Sequence, residues 1–384
     1  MRRSRGRLLG IVLGSFLAAC THHGTASRTP TTLSPTPATT VPTTTIATVP
    51  GPPTFQVFDL WFVDAGHGWV LGLECPSPGV CRAGIRATDD GGRTWRKTGA
   101  PPVGISTADG RSSVSQIRFA DRSNGFALGP SLFVTHDGGR SWAEGGVAGR
   151  VRALEAVGAS VWALGEEPCP SGVCPVQLVV SSDFGRTWGR APVQPPVPGS
   201  PGMLLRFGQN AAWLLSWNYG AGGSSGALNI TRDGGRSWHE LPNPCAAEYA
   251  SDDQLATSDG AHLWLLCAGQ PSAGQQLKTL HLSADGGASW SGPTDAPAYG
   301  YLHNLVGTSS SRGWLTLDRA TLETTADGGK SWQQAIPIDA ANPGDGSAGP
   351  VRFVDSHRGW VGIGGDVFRT VDGGVHWTRV VVPA

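Results

Sequence analysis

The stretch TRDGGRSWHE occupies residues 231–240, and close copies of it recur along the chain. TDDGGRTWRK begins at Thr88, THDGGRSWAE at Thr135 and SSDFGRTWGR at Ser181. SADGGASWSG begins at Ser283, TADGGKSWQQ at Thr325 and TVDGGVHWTR at Thr370. All seven fit [ST]-x-D-x-G-x-[ST]-W, except that His376 replaces the hydroxyl residue in the last. Asp90, Asp137, Asp183, Asp233, Asp285, Asp327 and Asp372 follow one another at intervals of 47, 46, 50, 52, 42 and 45 residues. A period of that size is the mark of a repeat architecture, and it rules out dividing 384 residues by a typical domain length.

The turn explains itself without a ligand. A short Asp side chain accepts hydrogen bonds from backbone N–H groups of its own turn. Glycine accepts a positive φ that other residues resist. The hydroxyl adds a local bond, and the Trp leaves the turn into an apolar layer. The seven carboxylates are therefore expected to be structural. A calcium loop would need further oxygen ligands that these copies do not supply.

A second motif runs in phase with the first: FVDAGHGWVLG (62–72), FADRSNGFALG (119–129) and FVDSHRGWVGIG (353–364). Weaker copies surround Trp162, Trp213, Trp264 and Trp314. Of the 15 tryptophans, Trp95, Trp142, Trp188, Trp238, Trp290, Trp332 and Trp377 belong to the turns. Trp69, Trp162, Trp213, Trp264, Trp314 and Trp360 belong to the second motif, with Phe126 in the remaining unit, which leaves only Trp61 and Trp217 unassigned. Each unit reads as four short strands, A to D; in the first they are QVFDLWFV, GWVLGL, GIRAT and TWRKT, with the repeated turn joining C to D. A four-stranded sheet of this size cannot cover both its faces, and radial stacking of seven buries them. The expected fold is all-β, a seven-bladed β-propeller over residues 55–384.

These motifs resemble the Asp-box, or bacterial neuraminidase, repeat of sialidases, sortilin-type receptors and many bacterial propellers. The double motif is most similar to the photosystem II assembly factors of cyanobacteria and plastids. The resemblance spans everything after residue 54. It implies the fold strongly and the activity weakly, because one fold hosts many functions.

The N-terminus reads as an address. Arg2, Arg3, Arg5 and Arg7 precede the apolar run LLGIVLGSFLAA and Cys20. The run has signal-peptide proportions. LAAC, residues 17–20, resembles the bacterial lipobox, which implies cleavage after residue 19 and a lipidated Cys20. Residues 20–54 form the lipidated end and a linker whose 28–53 stretch is mostly Thr and Pro, too poor in apolar residues to pack. The expected location is extracytoplasmic, anchored to the cell membrane. Without residues 1–19, the 29 basic residues fall to 25 against 29 acidic ones, a net charge of −4 that does not suit nucleic-acid binding.

An exported chain permits disulfides. Setting Cys20 aside, the proximity of loops on one propeller face favours Cys75–Cys81, Cys169–Cys174 and Cys245–Cys267, with free or metal-bound thiols as the alternative. No nucleophile elbow, zincin helix or phosphate loop occurs, and neither a catalytic residue, a metal nor a cofactor is expected. Arg118, Arg206 and Arg352 lie near the ends of A strands, where they are either solvated or, as in sialidases, gathered in the central channel. A sialidase also needs a Tyr–Glu pair delivered from separate blades, and Glu248 and Tyr249 are sequence neighbours. The favoured reading is a monomeric, non-enzymatic scaffold that binds an envelope protein or a glycan. A sialidase-type hydrolase and a purely structural envelope protein are the alternatives. The aromatics Trp217, Tyr219, Tyr249, Tyr299 and Tyr301, with His303, are expected in loops on the cysteine-bearing face and make that face the candidate recognition surface. The opposite face carries Arg93, Arg140, Arg186, Arg236 and Lys330 in its turns.

Overall fold

A computed structural model describes residues 54–77, 80–103, 114–167, 174–197, 200–220, 223–247, 253–318, 321–336 and 348–384. The expected signal segment, Cys20, most of the linker, Cys169 and Tyr249 lie outside them, as do the side chains of Cys75, Cys81 and Tyr219. Residues Val49–Ala384 form one compact unit.

That unit holds seven four-stranded sheets, each antiparallel and each in chain order A-B-C-D. The innermost strands are Thr54–Phe62, Gln116–Phe119, Val151–Val157, Ser200–Phe207, Gln254–Thr257, Leu302–Gly307 and Ala348–Phe353. They begin blades 1 to 7 in turn. Each of seven apolar clusters joins residues of two successive blades, the last of them joining blade 7 to blade 1. The core is thus a ring of inter-blade layers, as a stack of sheets with no other way to cover its faces requires.

Two details differ from the sequence reading. The D strands are short: in blade 1 the outer strand is only Arg96–Lys97, because Thr94 and Trp95 still belong to the turn. The B–C connections of blades 1 and 4 are not loops but extended hairpins. Cys75 lies within strand Gly68–Ser77 and Cys81 within Val80–Thr88. Tyr219 lies within Ala211–Gly220, opposite Ser224. Alternation of polar and apolar residues was too weak there to mark strand from loop.

The second motif is a packing unit. A Cβ on Gly68 would stand 2.3 Å from the ring of Phe62, and one on Gly125 2.4 Å from Phe119. The glycine leaves the space that lets the phenylalanine lie flat on the previous blade's tryptophan. Phe119 stacks on Trp69 at 3.6 Å and Phe62 on Trp360 at 3.7 Å. The motif's Asp caps the A–B turn: Asp64 Oδ1 accepts from the amides of Gly66 and His67, and Asp121 Oδ1 from those of Ser123 and Asn124.

Candidate functional site

The repeated turn is a closed circuit. In blade 4, Thr231 Oγ1 donates to Asp233 Oδ1 at 2.8 Å and accepts from the Gly235 amide at 2.9 Å. Asp233 Oδ1 also accepts from the Ser237 amide, and Oδ2 accepts from the Ser237 hydroxyl at 2.6 Å. The Arg236 guanidinium donates to the Asp233 carbonyl at 3.0 Å, and Arg93, Arg140 and Arg186 repeat that bond in their own turns. These bonds hold the turn carboxylates well below the usual range: Asp90 falls to about 2, first through the Thr94 hydroxyl and then its amide. The turns also bind blade to blade. Trp69 Nε1 donates to the carbonyl of Gly138 in the next blade, Trp213 to Gly286 and Trp360 to Gly91, each at 3.0 Å. The turn carboxylates are thus committed within their own turns, and among the described residues no cluster of His, Cys, Asp and Glu could hold a metal.

The chemistry concentrates on the axis instead. Two cavities share the channel between the innermost strands. The wider, about 540 Å³, opens on the A–B turns and is lined by Trp61, Arg118, Glu155, Arg206 and Arg352, among others. The smaller, about 270 Å³, opens on the opposite, cysteine-bearing side beside Asp59, Gln116, Arg152 and His303. Arg118 and Glu155 line both.

The three strand-end arginines are therefore not simply solvated. Arg118 Nη1 donates to the Ile117 carbonyl at 2.8 Å and reaches Asp59 Oδ2 at 3.4 Å. Arg352 lies 3.6 Å over the Trp61 ring and Arg118 4.6 Å from it, so one indole carries two guanidiniums. The Trp61 Nε1 donates to the Phe119 carbonyl at 2.8 Å, which fixes the ring. Arg206 takes the place over Trp162 that a phenylalanine takes elsewhere, at 4.3 Å, and bonds the carbonyl and hydroxyl of Ser160. Burial lowers Arg206 and Arg352 to about 10, which leaves both charged at neutral pH.

Two acids stand among them. Asp59 is 4 % exposed, and burial pushes it up to about 6 against the pull of Arg118 and the Ile117 amide. Burial also raises Glu155, against the attraction of Arg118, Arg352 and Arg206. Neither acid nor Trp61 was singled out from sequence. The one available signal was Trp61 standing outside both motifs.

The expected recognition aromatics have internal partners. The Tyr299 hydroxyl donates to Glu323, Tyr301 Oη accepts from the Gly274 amide at 3.1 Å, and Trp217 Nε1 donates to Asp253 at 3.4 Å. Trp217 also lies over Gly202, where a Cβ would stand 2.4 Å from its ring. His303 is not in a loop. It sits in strand Leu302–Gly307 and lines the smaller axial cavity, where burial lowers its pKa. Cys245 and Cys267 are bonded as expected and Cys174 is disulfide-bonded, while the expected Cys75–Cys81 and Cys169–Cys174 pairings fall on residues or side chains outside those described.

Fold and channel define a seven-bladed β-propeller with a cationic axis. Comparison narrows the class: residues 101–269 match the family model of the photosynthesis system II assembly factor YCF48. The photosystem II assembly lipoprotein Ycf48 of Synechococcus sp. (strain CC9902) is 24 % identical over 305 residues, covering 67 % of this chain and 85 % of its own. A solved YCF48 bound to a D1 peptide superposes with a TM-score of 0.56 at 20 % identity, over 84 % of this chain and 95 % of that one. YCF48 from Cyanidioschyzon merolae gives 0.55 at 17 % identity, over 84 % and 97 %. An ancestral GH74 enzyme also gives 0.55, at 16 % identity, covering 85 % of this chain but 45 % of the enzyme. The chain is thus similar to the photosystem II assembly factors over part of its length, and the solved structures share its propeller fold.

Proposed function

We propose that this chain is a non-enzymatic assembly scaffold that receives an anionic segment of a partner protein in its axial channel. The observation that carries the reading is the convergence of Arg118, Arg206 and Arg352 on one cavity of about 540 Å³. Guanidiniums held by stacking and backbone bonds are pre-organised donors for carboxylate. A channel between seven rigid sheets holds them without ordering cost. The relative solved with a D1 peptide and the assembly role in the relatives' names support a protein segment as the occupant.

Sialidase-type hydrolysis is the competing reading, because it too uses an arginine trio. Glu155 and Asp59 already stand against that trio, and neither Tyr299 nor Tyr301 lines the channel to serve as nucleophile. Both features favour binding over turnover. The scaffold acts outside the cytoplasm, tethered through a lipidated Cys20 by the Thr/Pro linker. His303 lines the smaller, cysteine-side cavity of the channel, whereas the Tyr299 and Tyr301 hydroxyls are committed to Glu323 and Gly274.

A partner pull-down from membranes tests the site. Arg118→Gln/Arg352→Gln should lose the partner while Arg140→Ala/Arg186→Ala/Arg236→Ala keeps it. The reverse result, with both proteins folded, would move the site to the turn face. Cys20→Ser should release the protein from the membrane fraction. Unchanged detergent partitioning would overturn the anchor.

A further inference from the structure

We propose that Glu155 and Asp59 are built-in competitors for the channel arginines, so that an anionic group enters the channel together with protons. The inference deepens the reading above and rests on the channel being the binding site.

Five blades bring charged side chains to the axis. Blade 1 contributes Asp59, blade 2 Arg118, blade 3 Glu155, blade 4 Arg206 and blade 7 Arg352. Arg152 also lines the smaller cavity but is paired with Glu166 at 2.5 Å, and Asp355 at the wider mouth is paired with Arg358 at 3.2 Å. Blade 5 supplies Gln254 and apolar or hydroxyl groups. Blade 6 supplies His303, which feels Asp318, and Asn304. Three guanidiniums against two carboxylates leave a net charge of +1 when both acids are ionised and +3 when both are protonated.

A carboxylate or sulfate placed among these arginines lies close to Glu155, and like charges so near each other disfavour joint ionisation. The arriving anion therefore drives a proton onto Glu155, and in its turn onto Asp59, whose Oδ2 is 3.4 Å from Arg118. Coupling of this kind is reciprocal: protons strengthen anion binding as much as anions strengthen proton binding. Both acids titrate above their ordinary values because burial penalises their charge, Asp59 at about 6, so the coupling falls between neutral and mildly acidic pH. Trp61 is the positioning residue: with Arg352 at 3.6 Å and Arg118 at 4.6 Å on its ring, it keeps the guanidiniums apart from each other and aimed at the axis. The device discriminates against neutral segments, and it weakens binding in a less acidic medium.

Sulfate is the first probe because it does not itself titrate in this range, and the D1 peptide is the second. Binding to the full mature chain is measured by calorimetry at pH 5.5 and 7.5, in buffers of different ionisation enthalpy. The expected result is net proton uptake on binding and affinity about tenfold higher at pH 5.5, the size that an average uptake of about half a proton gives over this interval of two pH units. Glu155→Gln should bind more tightly than the parent at pH 7.5 and lose most of the pH dependence. Asp59→Asn serves the same purpose if that variant fails to fold. His303→Gln should keep the pH dependence, which separates the acids from the imidazole. Binding without proton uptake, or a pH profile unchanged in Glu155→Gln, overturns the coupling and leaves the channel site standing. No binding of either probe at either pH overturns the channel site and the coupling with it.

Discussion

Trp360, in the last blade, stacks on Phe62, in the first, with ring centroids 3.7 Å apart and planes 5° from parallel. Among the described residues no strand is shared between these blades, since each sheet is built from contiguous chain. The ring is closed by packing and a few bonds. Trp360 Nε1 donates to the Gly91 carbonyl, the Val57 amide to the Gly365 carbonyl at 2.9 Å, and buried Arg86 holds the Pro383 carbonyl at 3.1 Å. Trp360 is fully buried, so Trp360→Ala should cost about 3–5 kcal/mol, as large aromatic truncations in cores do. Denaturant unfolding measures it. A cost below about 1 kcal/mol would mean the seam contributes little beyond its neighbours.

The repeated turns should fail by loss of their internal bonds. Thr231 is fully buried, and its hydroxyl serves both Asp233 and the Gly235 amide. Thr231→Val keeps the shape and strands a buried N–H, for about 1–3 kcal/mol. Partner binding by the folded fraction should not change. A Thr231→Val protein with native stability and no binding would make the turn a functional site.

Acid titration should separate the turns from the axis. Asp90, Asp285 and Asp327 are lowered to about 2, first by the hydroxyls of Thr94, Ser289 and Ser331. Their stabilisation is present above the unfolded value near 4 and lost as pH falls through the folded value near 2. Asp59 has the opposite sign. Its folded value near 6 exceeds the unfolded one, so its ionisation weakens the fold progressively from pH 4 to pH 6 and fully above that. Asp59→Asn should therefore flatten the stability profile between pH 4 and pH 6 and leave the collapse between 4 and 2 in place. An unchanged profile over the upper window would show that Asp59 does not titrate there.

The fold was legible because its determinants are local and repeated. An Asp, two glycines and a hydroxyl satisfy one another within a single turn, and Phe62 and Gly68 fit one another across a single hairpin. The axial site was not legible for the opposite reason. Asp59, Arg118, Glu155 and Arg352 lie on four different blades, and only closure of the ring brings them together. Arg118, Arg206 and Arg352 could be noticed as strand-end cations, but Glu155 in RALEAVG resembles any solvated strand residue. The partners of Tyr299 and Tyr301 were illegible in the same way, since composition could not reveal that their hydroxyls serve Glu323 and Gly274.

The disulfide between Cys245 and Cys267 spans 22 residues and joins the end of blade 4 to strand B of blade 5. Cross-linking a loop of that length limits the unfolded chain by about 3 kcal/mol. Cys245→Ala/Cys267→Ala should lower stability by about that amount, and reduction of the parent, which also opens the bridge at Cys174, should lower it at least as much. Non-reducing peptide mapping should also return Cys75–Cys81 and Cys169–Cys174; a Cys75–Cys169 link would contradict the hairpin placement.

Lys278 provides a last test, at alkaline pH. Its side chain is 2 % exposed, and its ammonium donates to the carbonyls of Gln276 at 2.7 Å, Pro297 at 2.8 Å and Gly300 at 3.0 Å. The last two carbonyls belong to the segment that leads into blade 6 and carries Tyr299. Burial pushes Lys278 down to about 8, so the unfolded chain binds the proton more tightly than the folded one. The penalty is full below pH 8 and is relieved as pH rises towards the unfolded value near 10.4. Global stability should therefore gain a rising component between pH 8 and pH 10, absent in Lys278→Met. That variant leaves three carbonyls without their donor and should expose the 297–301 backbone to hydrogen exchange. If exchange there matches the parent, the ammonium is not what holds the segment.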